Sequence, residues 1–445
     1  MYIMLKRKIE SYLNVWQQGK YALLVDGARQ VGKTFILKKY LEEHFDNVVY
    51  INLIERKDAV SVLSQAKNAS DFLLRLSTLV DKPFVPNKTA IFIDEVQELK
   101  AFDWVTNTKF LIEENKYRFV FSGSLLGVEM FDVASWPTGY LAHTTMYPLD
   151  FEEFLWANGV NQIVIDTAKE RFEKRLTVED FIHDKLMDLF AKYLLVGGMP
   201  DAVNAFVESQ DLNRVAMAHD TIEQYNRRDI AKYASLDEKL KIKEIYDLLP
   251  EELNSKNKRF RLSEIQNRKR GEDIGLSFAW LSKAGVAIPV FNTSAAEIPL
   301  RINADRQLLK LFHEDVGLLT YLLMDASVKI KVLNNERDIN FGAIYENVAA
   351  QLLLTHGFDN LYYYNNKKHG EVDFLVEYEG DVLPIEIKSG KDYARHSALN
   401  NLLTIHSDTI PEALVFCQSN THIEGKITYL PIYALEFLRK RNRYF

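Results

Sequence analysis

At 445 residues the chain is too long for one hydrophobic core, and its length sets an expectation of roughly two to four domains. Apolar residues at 47% and charged residues at 26% are the balance of an ordinary globular protein, which excludes a disordered or fibrous chain. The net charge of −7 excludes a general polyanion binder, so any nucleic-acid contact needs a local basic face. Cys417 is the only cysteine, which excludes intramolecular disulfides and cysteine-based zinc sites and fits a reducing compartment. Charges interrupt the opening MYIMLKRKIESYL before a secretory core can form, and no run approaches the roughly 18 apolar residues of a membrane span. The expectation is a soluble cytoplasmic protein with no membrane partner.

From residue 21 to 124, short apolar runs alternate with amphipathic stretches. The runs are YALLVDG (21–27), VVYINLI (48–54), TAIFIDE (89–95) and RFVFSGS (118–124), with helical patterns around 33–44, 70–81 and 103–115. Near-continuous apolar strands separated by helices predict a parallel sheet covered on both faces. The text from Asp150 to about 235 reads as mostly helical, opening with a short capped helix at 151–159. Residues 236–335 combine helices with a winged pattern, and after 341 one helix leads into β-rich text. The expected domains are therefore 1–150, 151–235, 236–335 and 336–445.

GARQVGKT, residues 27–34, follows a buried strand and opens a helix, the context in which a GxxxxGKT loop holds phosphate. The candidate phosphate-binding residues are Gly27, Ala28, Arg29, Gln30, Val31, Gly32, Lys33 and Thr34. Glycines let the backbone turn its N–H groups toward phosphate oxygens at a helix N-terminus. Lys33 is expected to reach the β- and γ-phosphates of ATP, and Thr34 to supply a hydroxyl to Mg²⁺. The strand AIFIDE (90–95) ends in two carboxylates, Asp94 for the magnesium and Glu95 as the base for the attacking water. The next strand ends in Ser122 and Ser124, polar groups suited to the γ-phosphate or the water.

GARQVGKT, IFIDEVQE (91–98), the FSGS strand end and MYPLDFEEFL (146–155) resemble a widespread family of bacterial and archaeal AAA-type ATPases. The resemblance implies that Glu95 is the catalytic glutamate and that Ser122 or Ser124 senses the γ-phosphate. Many members carry Gly-Arg before the PL-F-EF segment. Here the text is Gly139-Tyr140, which removes one arginine-finger candidate. QYNRRDIAKYA (224–234) also matches, so Arg227 or Arg228 is either a finger toward a neighbouring copy in a homo-oligomer, a salt-bridge partner of Asp229, or a solvated helix residue.

Residues 254–270, NSKNKRFRLSEIQNRKR, carry Lys256, Lys258, Arg259, Arg261, Arg268, Lys269 and Arg270 against one acid, Glu264. Together with GLSFAWLSKAGVAIPVFN (275–292) they give the element order of a winged helix-turn-helix. Such a module either contacts DNA phosphates or packs inside an ATPase as a solvated charged face.

Near the end of the sequence Glu346 lies on a helix, Asp373 in GEVDFLVEY (370–378), and Glu386 and Lys388 in LPIEIKSG (383–390). Helix, strand with Asp, turn and strand with Glu-x-Lys is the layout of the PD-(D/E)xK nuclease core, which this region resembles. It also resembles the domain of unknown function usually fused to the ATPases above. The overall expectation is an α/β protein with an AAA-type parallel sheet, a helical and winged-helix middle, and a C-terminal α/β restriction-endonuclease-like domain. Asp373 and Glu386 are the expected Mg²⁺ ligands, with Glu346 as an aid to that metal or a second one and Lys388 orienting the water. The basic, aromatic stretch YYYNNKKHG (362–370) suits a nucleic-acid strand. The ten histidines show no HExxH spacing, and no serine sits in a GxSxG context. Two readings compete: an ATP-driven protein acting on DNA, and a nucleotide-dependent switch whose C-terminal domain binds a partner without cleavage.

Overall fold

The computed structural model describes residues 4–99, 104–113, 116–123, 139–233, 236–254, 260–261, 278, 280–282, 284–333 and 341–440. They fall into two units, one of Arg7–Tyr147 with Lys283–Gly285 and a larger one of Met1–Lys6, Pro148–Ser282 and Val286–Phe445.

The smaller unit is built on β1 (Ala22–Asp26), β2 (Asn47–Asn52), β3 (Thr89–Asp94), β4 (Arg118–Ser122) and β5 (Leu141–Thr145). They form one sheet in the order β2-β3-β4-β1-β5, and every pairing is parallel. β3 is buried along its whole length, which is why TAIFID reads as a continuous apolar run rather than an alternation. One face buries Leu24, Ile51, Ile91, Ile93 and Phe121 against Phe72 and Leu76 of the helix Ala69–Ser77 and Trp104 of the helix Trp104–Glu113. The helix Lys33–His44 packs on β2 and β3 and buries Ile36, Leu37, Tyr40 and Leu41. Because the strands are parallel and in register, their C-terminal tips align: Asn52 stands opposite Asp94, Val25 opposite Ser122, and Asp26 opposite Thr145. That row of polar tips lies where ligands bind in open parallel sheets.

The larger unit contains β6 (Phe260–Arg261), β7 (Ala287–Thr293), β8 (Ala304–His313), β9 (Leu361–Asn366), β10 (Gly370–Tyr378), β11 (Asp381–Ile387), β12 (Ala413–Cys417), β13 (His422–Glu424) and β14 (Ile427–Pro431). They make a single nine-stranded mixed sheet, ordered β13-β14-β12-β11-β10-β9-β7-β8-β6. The expected break near 335 falls between β8 and β9, two strands of this one sheet. β7 pairs in parallel with β9, so the hairpin read as a wing and the strands read as nuclease-like share one hydrogen-bonded ladder. Of the basic run 254–270, only Arg261 lies in a described strand; Lys256, Lys258, Arg259, Arg268, Lys269 and Arg270 fall outside the described residues. β10 and β11 join through Glu379 and Gly380, both left-handed, the conformation a two-residue hairpin turn needs.

The helix Gly342–Thr355 is buried continuously from Ala343 to Leu353, so it shows no amphipathic stripe. Two of its polar residues bind backbone: the Asn347 side chain accepts from the His313 amide at 2.7 Å and donates to the His313 carbonyl at 3.1 Å, and Gln351 accepts from the Val316 amide at 2.9 Å. VGGMP (196–200) joins two helices and has a packing role as well. The Leu149 amide donates to the Gly198 carbonyl at 2.7 Å, and the Tyr193 hydroxyl donates to the Leu149 carbonyl at 2.7 Å. Asp315 accepts from the Gly198 amide at 2.6 Å. Burial raises the Asp315 carboxyl to about 6, the amides of Gly198, Leu318 and Gly317 acting against that rise.

A β-carbon on Gly198 would stand 2.0 Å from the Leu149 carbonyl oxygen and 2.6 Å from its nitrogen, both backbone atoms that cannot rotate away. Gly198→Ala is therefore expected to cost about 3 kcal/mol, read from the urea midpoint. Gly159→Ala, at a left-handed position with open space around it, is the comparison and should cost only about 1–2 kcal/mol.

Candidate functional site

The phosphate loop follows directly from β1. Gly27 has φ 138°, and a β-carbon there would lie 2.1 Å from the Met146 carbonyl oxygen, so the close pass of these two segments requires glycine. Gln30 and Gly32 are left-handed, at 62° and 93°, and the helix begins at Lys33. Ala28, Arg29 and Val31 complete the loop; Ala28 and Val31 are buried, Arg29 half-buried. The Lys33 ammonium lies back over the loop, donating to the carbonyls of Gly27 at 2.9 Å and Ala28 at 2.6 Å. Burial lowers it to about 8, with Glu95, Asp94 and Asp26 pulling the other way.

Asp94 gathers the site. It is 1% exposed, and five donors reach it: from β2, from β4, from the phosphate-loop helix and from the residue that follows it in the chain. Thr34 donates to Oδ2 at 2.8 Å, Asn52 at 3.1 Å and Tyr50 at 3.2 Å. The hydroxyl of Ser122 and the Glu95 amide (3.1 Å) donate to Oδ1. Burial raises the Tyr50 phenol to about 12, so it stays a donor at neutral pH. The Thr34–Asp94 pair, a hydroxyl and a carboxylate with hard oxygens, is the donor set a magnesium site takes. Glu95 is half-buried with φ 59°, a left-handed residue at the strand tip, and its Oε2 accepts from Gln97 at 2.6 Å. Backbone strain at such a position is a frequent mark of functional sites. Ser124 falls outside the described residues.

Two supports were not read from sequence. Arg7 is 7% exposed and donates to the carbonyls of Val31 at 2.9 Å and Tyr147 at 2.7 Å, tying the phosphate loop to the chain beyond β5. His143 meets Asp26 at 2.9 Å. A lone arginine before a helix and a histidine on an edge strand carry no spacing signal. Of the two arginines weighed as a finger, Arg227 donates to Glu223 at 2.7 Å and pairs with Asp247, and Arg228 is exposed, 5.9 Å from the ring centre of Tyr225.

In the larger unit, Glu346, Asp373, Glu386 and Lys388 come near one another, joined by Lys310 and Glu371. Lys388 donates to Glu386 Oε1 at 2.7 Å, and Asp373 accepts from the Ile387 amide at 2.9 Å. Glu386 is 5% exposed, and its Oε2 has no hydrogen-bond partner. Lys310 on β8 is 1% exposed, 2.7 Å from Glu371 and 3.5 Å from Glu346. Burial, then Glu386 and Glu346, raise the Asp373 carboxyl well above its usual range, against Lys310. Burial also raises Glu386, against the pull of Lys388. A divalent cation would relieve both, and the unpartnered Glu386 oxygen beside Asp373 fits a hydrated Mg²⁺. Among the described residues, the set Glu346, Asp373 and Glu386 does not bring three ligand atoms within 4.8 Å; only Asp150, His356 and Glu436 do. Glu346 is held by Lys310, a residue that sequence order alone could not link to it.

Residues 19–155 match the AAA domain family, residues 187–329 a domain of unknown function (DUF8612), and residues 341–435 another (DUF4143). No curated protein matches the chain significantly. Among solved structures it is similar to the Walker-type ATPase PABY2304 of Pyrococcus abyssi, at 14% identity and TM-score 0.44 over 72% of this chain and 96% of that one. The Aeropyrum pernix Orc1 protein in complex with DNA gives 13% identity and TM-score 0.32, over 76% and 94%. The STAND protein PH0952 of Pyrococcus horikoshii, with a tetratricopeptide repeat sensor, gives 14% and 0.27, over 79% and 49%. Among the described residues, no helix is long and apolar enough to cross a membrane. Residues 19–155, which carry the phosphate loop on the five-stranded parallel sheet, are thus similar to the AAA domain family.

Proposed function

We propose that this protein binds and hydrolyses ATP with Mg²⁺ and acts on DNA through a metal-dependent site in the larger unit. The observation that carries the reading is Asp94, whose carboxylate joins Thr34 of the phosphate loop to Ser122 of β4 with Glu95 directly beside it. Gly27 to Gly32 supply the backbone cradle and Lys33 the cation for the β- and γ-phosphates. Thr34 and Asp94 would hold the magnesium, Glu95 would take the proton of the attacking water, and Ser122 would read the γ-phosphate, with Ser124 a second candidate. In the larger unit Asp373 and Glu386 would hold Mg²⁺, which supplies Lewis-acid polarisation of a phosphodiester. Lys388 orients the water there, and Glu346 acts on the metal side from its pair with Lys310. The sequence segment 254–270 supplies positive charge for DNA phosphates. The division of labour follows the expected segments 1–150, 151–235, 236–335 and 336–445.

A second reading, the nucleotide-dependent switch, is favoured by Arg227. That residue is committed to Glu223 and Asp247 rather than held ready for a neighbouring nucleotide. Under it turnover is slow, and it rises with protein concentration only if a neighbouring copy in a homo-oligomer supplies an arginine.

ATP turnover and magnesium-dependent DNA cleavage by wild type, Lys33→Ala and Lys388→Ala test the proposal. Lys33→Ala should lose about a hundredfold or more in ATP turnover, and Lys388→Ala a similar factor in cleavage alone. Absence of both DNA binding and DNA-stimulated turnover sinks the DNA reading.

The Lys33 ammonium gives a separate test. Without nucleotide it loses its proton near pH 8, and bound phosphate would hold that proton on, so ATP binding takes up a proton above pH 8. Affinity should fall up to about tenfold per pH unit above that point. Calorimetry at pH 8.5 in two buffers of different ionisation enthalpy reads the uptake, and equal heats in both would contradict it.

A further inference from the structure

Outside both sites, the larger unit aims three buried donors at one point. Asp150 caps the helix Phe151–Ala157, His356 follows the helix Gly342–Thr355, and Glu436 lies in the 3-10 turn Ile432–Phe437. Their side chains are 2%, 1% and 0% exposed. His356 Nε2 stands 3.7 Å from Asp150 Oδ2 and 3.4 Å from Glu436 Oε1, and the three donors fit within 4.8 Å of one another. Bonds of about 2.0–2.1 Å in a tetrahedral array put neighbouring ligand atoms about 3.3 Å apart. The His356 separations would close on such an ion with movements of a few tenths of an ångström.

The histidine supplies an independent argument. Its Nδ1 is 3.1 Å from the Leu438 carbonyl oxygen, which can only accept, so Nδ1 carries a proton. Nε2 has no hydrogen-bond partner although the ring is buried. Two carboxylate oxygens face that nitrogen, so a positive charge belongs there: a proton, which those carboxylates favour, or a metal cation in its place. An Nδ1–H bonded to a backbone carbonyl is also the arrangement that orients an imidazole for ligation through Nε2.

The carboxylates are turned the same way. Glu436 uses Oε2 to accept from the Phe151 amide at 3.1 Å, and Asp150 uses Oδ1 to accept from the Glu153 amide at 3.0 Å. Each thereby presents its other oxygen to His356. The Arg439 guanidinium stands 2.6 Å from Glu436 Oε1, 3.1 Å from Glu152 and 3.8 Å from Asp150. One guanidinium thus faces three carboxylates, two of which also face His356.

We propose that Asp150, His356 and Glu436 bind a zinc-class divalent cation that fastens the start of the helix Phe151–Ala157 to the segment Ile432–Phe437. One imidazole nitrogen with two carboxylate oxygens suits Zn²⁺ or Mn²⁺, whereas Mg²⁺ prefers an octahedron of oxygens and keeps its waters. The role is structural, because all three donors are out of solvent.

The experiment uses the full chain, stripped with chelator and reloaded with Zn²⁺ in magnesium-free buffer. Zinc per chain and the thermal midpoint are read for wild type, His356→Ala and Glu436→Gln. Wild type should retain one zinc per chain more than either variant, and zinc should raise the midpoint of wild type alone. Any zinc held at Asp373 and Glu386 is common to all three and cancels. Should both variants fail to fold, X-ray absorption of zinc-loaded wild type must show one imidazole nitrogen and carboxylate oxygens around the ion. Equal zinc in wild type and folded variants, or a zinc spectrum without imidazole, overturns the proposal. So does a zinc-free wild type whose midpoint falls as pH rises, which marks the cluster as an ion pair held by a proton.

Discussion

A carboxylate buried at the tip of a parallel strand must be met by donors, and the smaller unit is arranged around that requirement at Asp94. Leaving such a group unpaired costs several kcal/mol, roughly the margin of a small domain. Donors from β2, β4 and the phosphate-loop helix supply the pairing, so Tyr50, Asn52, Ser122 and Thr34 are brought to one point. The alignment of strand tips makes this possible, because parallel register sets Asn52 beside Asp94. The same convergence that satisfies the carboxylate gathers the groups a nucleotide and its magnesium need. Stability and chemistry have one cause here.

The larger unit solves the same problem differently. It buries charges in compensated groups: Lys310 among Glu346, Glu371 and Asp373, and Arg439 among Glu436, Asp150 and Glu152. Burial lowers Lys310, yet those carboxylates hold its ammonium well above the ordinary lysine range. Replacing one partner of such a group leaves an uncompensated charge, which is costly, so each group is coupled across several elements. At Glu386 Oε2 and His356 Nε2 a buried polar atom lacks a hydrogen bond. Both atoms face carboxylate-rich surroundings, and both are the places where a cation fits.

The sequence motifs differ in what they do. GARQVGKT and IFIDE carry the candidate chemistry of the smaller unit. MYPLDFEEFL and VGGMP carry packing: Leu149 is pinned by Gly198 and Tyr193, and Asp150 caps a helix while facing His356 and Glu436. Gly198 is required because the Leu149 backbone passes where a side chain would stand.

The sequence by itself determined four of the five strands of the parallel sheet (all but the edge strand β5), the phosphate loop, the carboxylate pair Asp94–Glu95 and the capped helix at 151. These depend on neighbours in the chain: apolar continuity, glycine placement and a capping box with period set by the backbone. The order of Glu346, Asp373, Glu386 and Lys388 was also legible, because strands β10 and β11 are joined by a short turn. Only the tertiary structure decided that β7 pairs with β9, so that the strands read as a wing and those read as nuclease-like form one sheet. It also brought Arg7 to Val31, Lys310 to Glu346, and Asp150, His356 and Glu436 together across nearly three hundred residues. Such contacts have no sequence period, because they arise from the packing of elements whose separation along the chain is arbitrary.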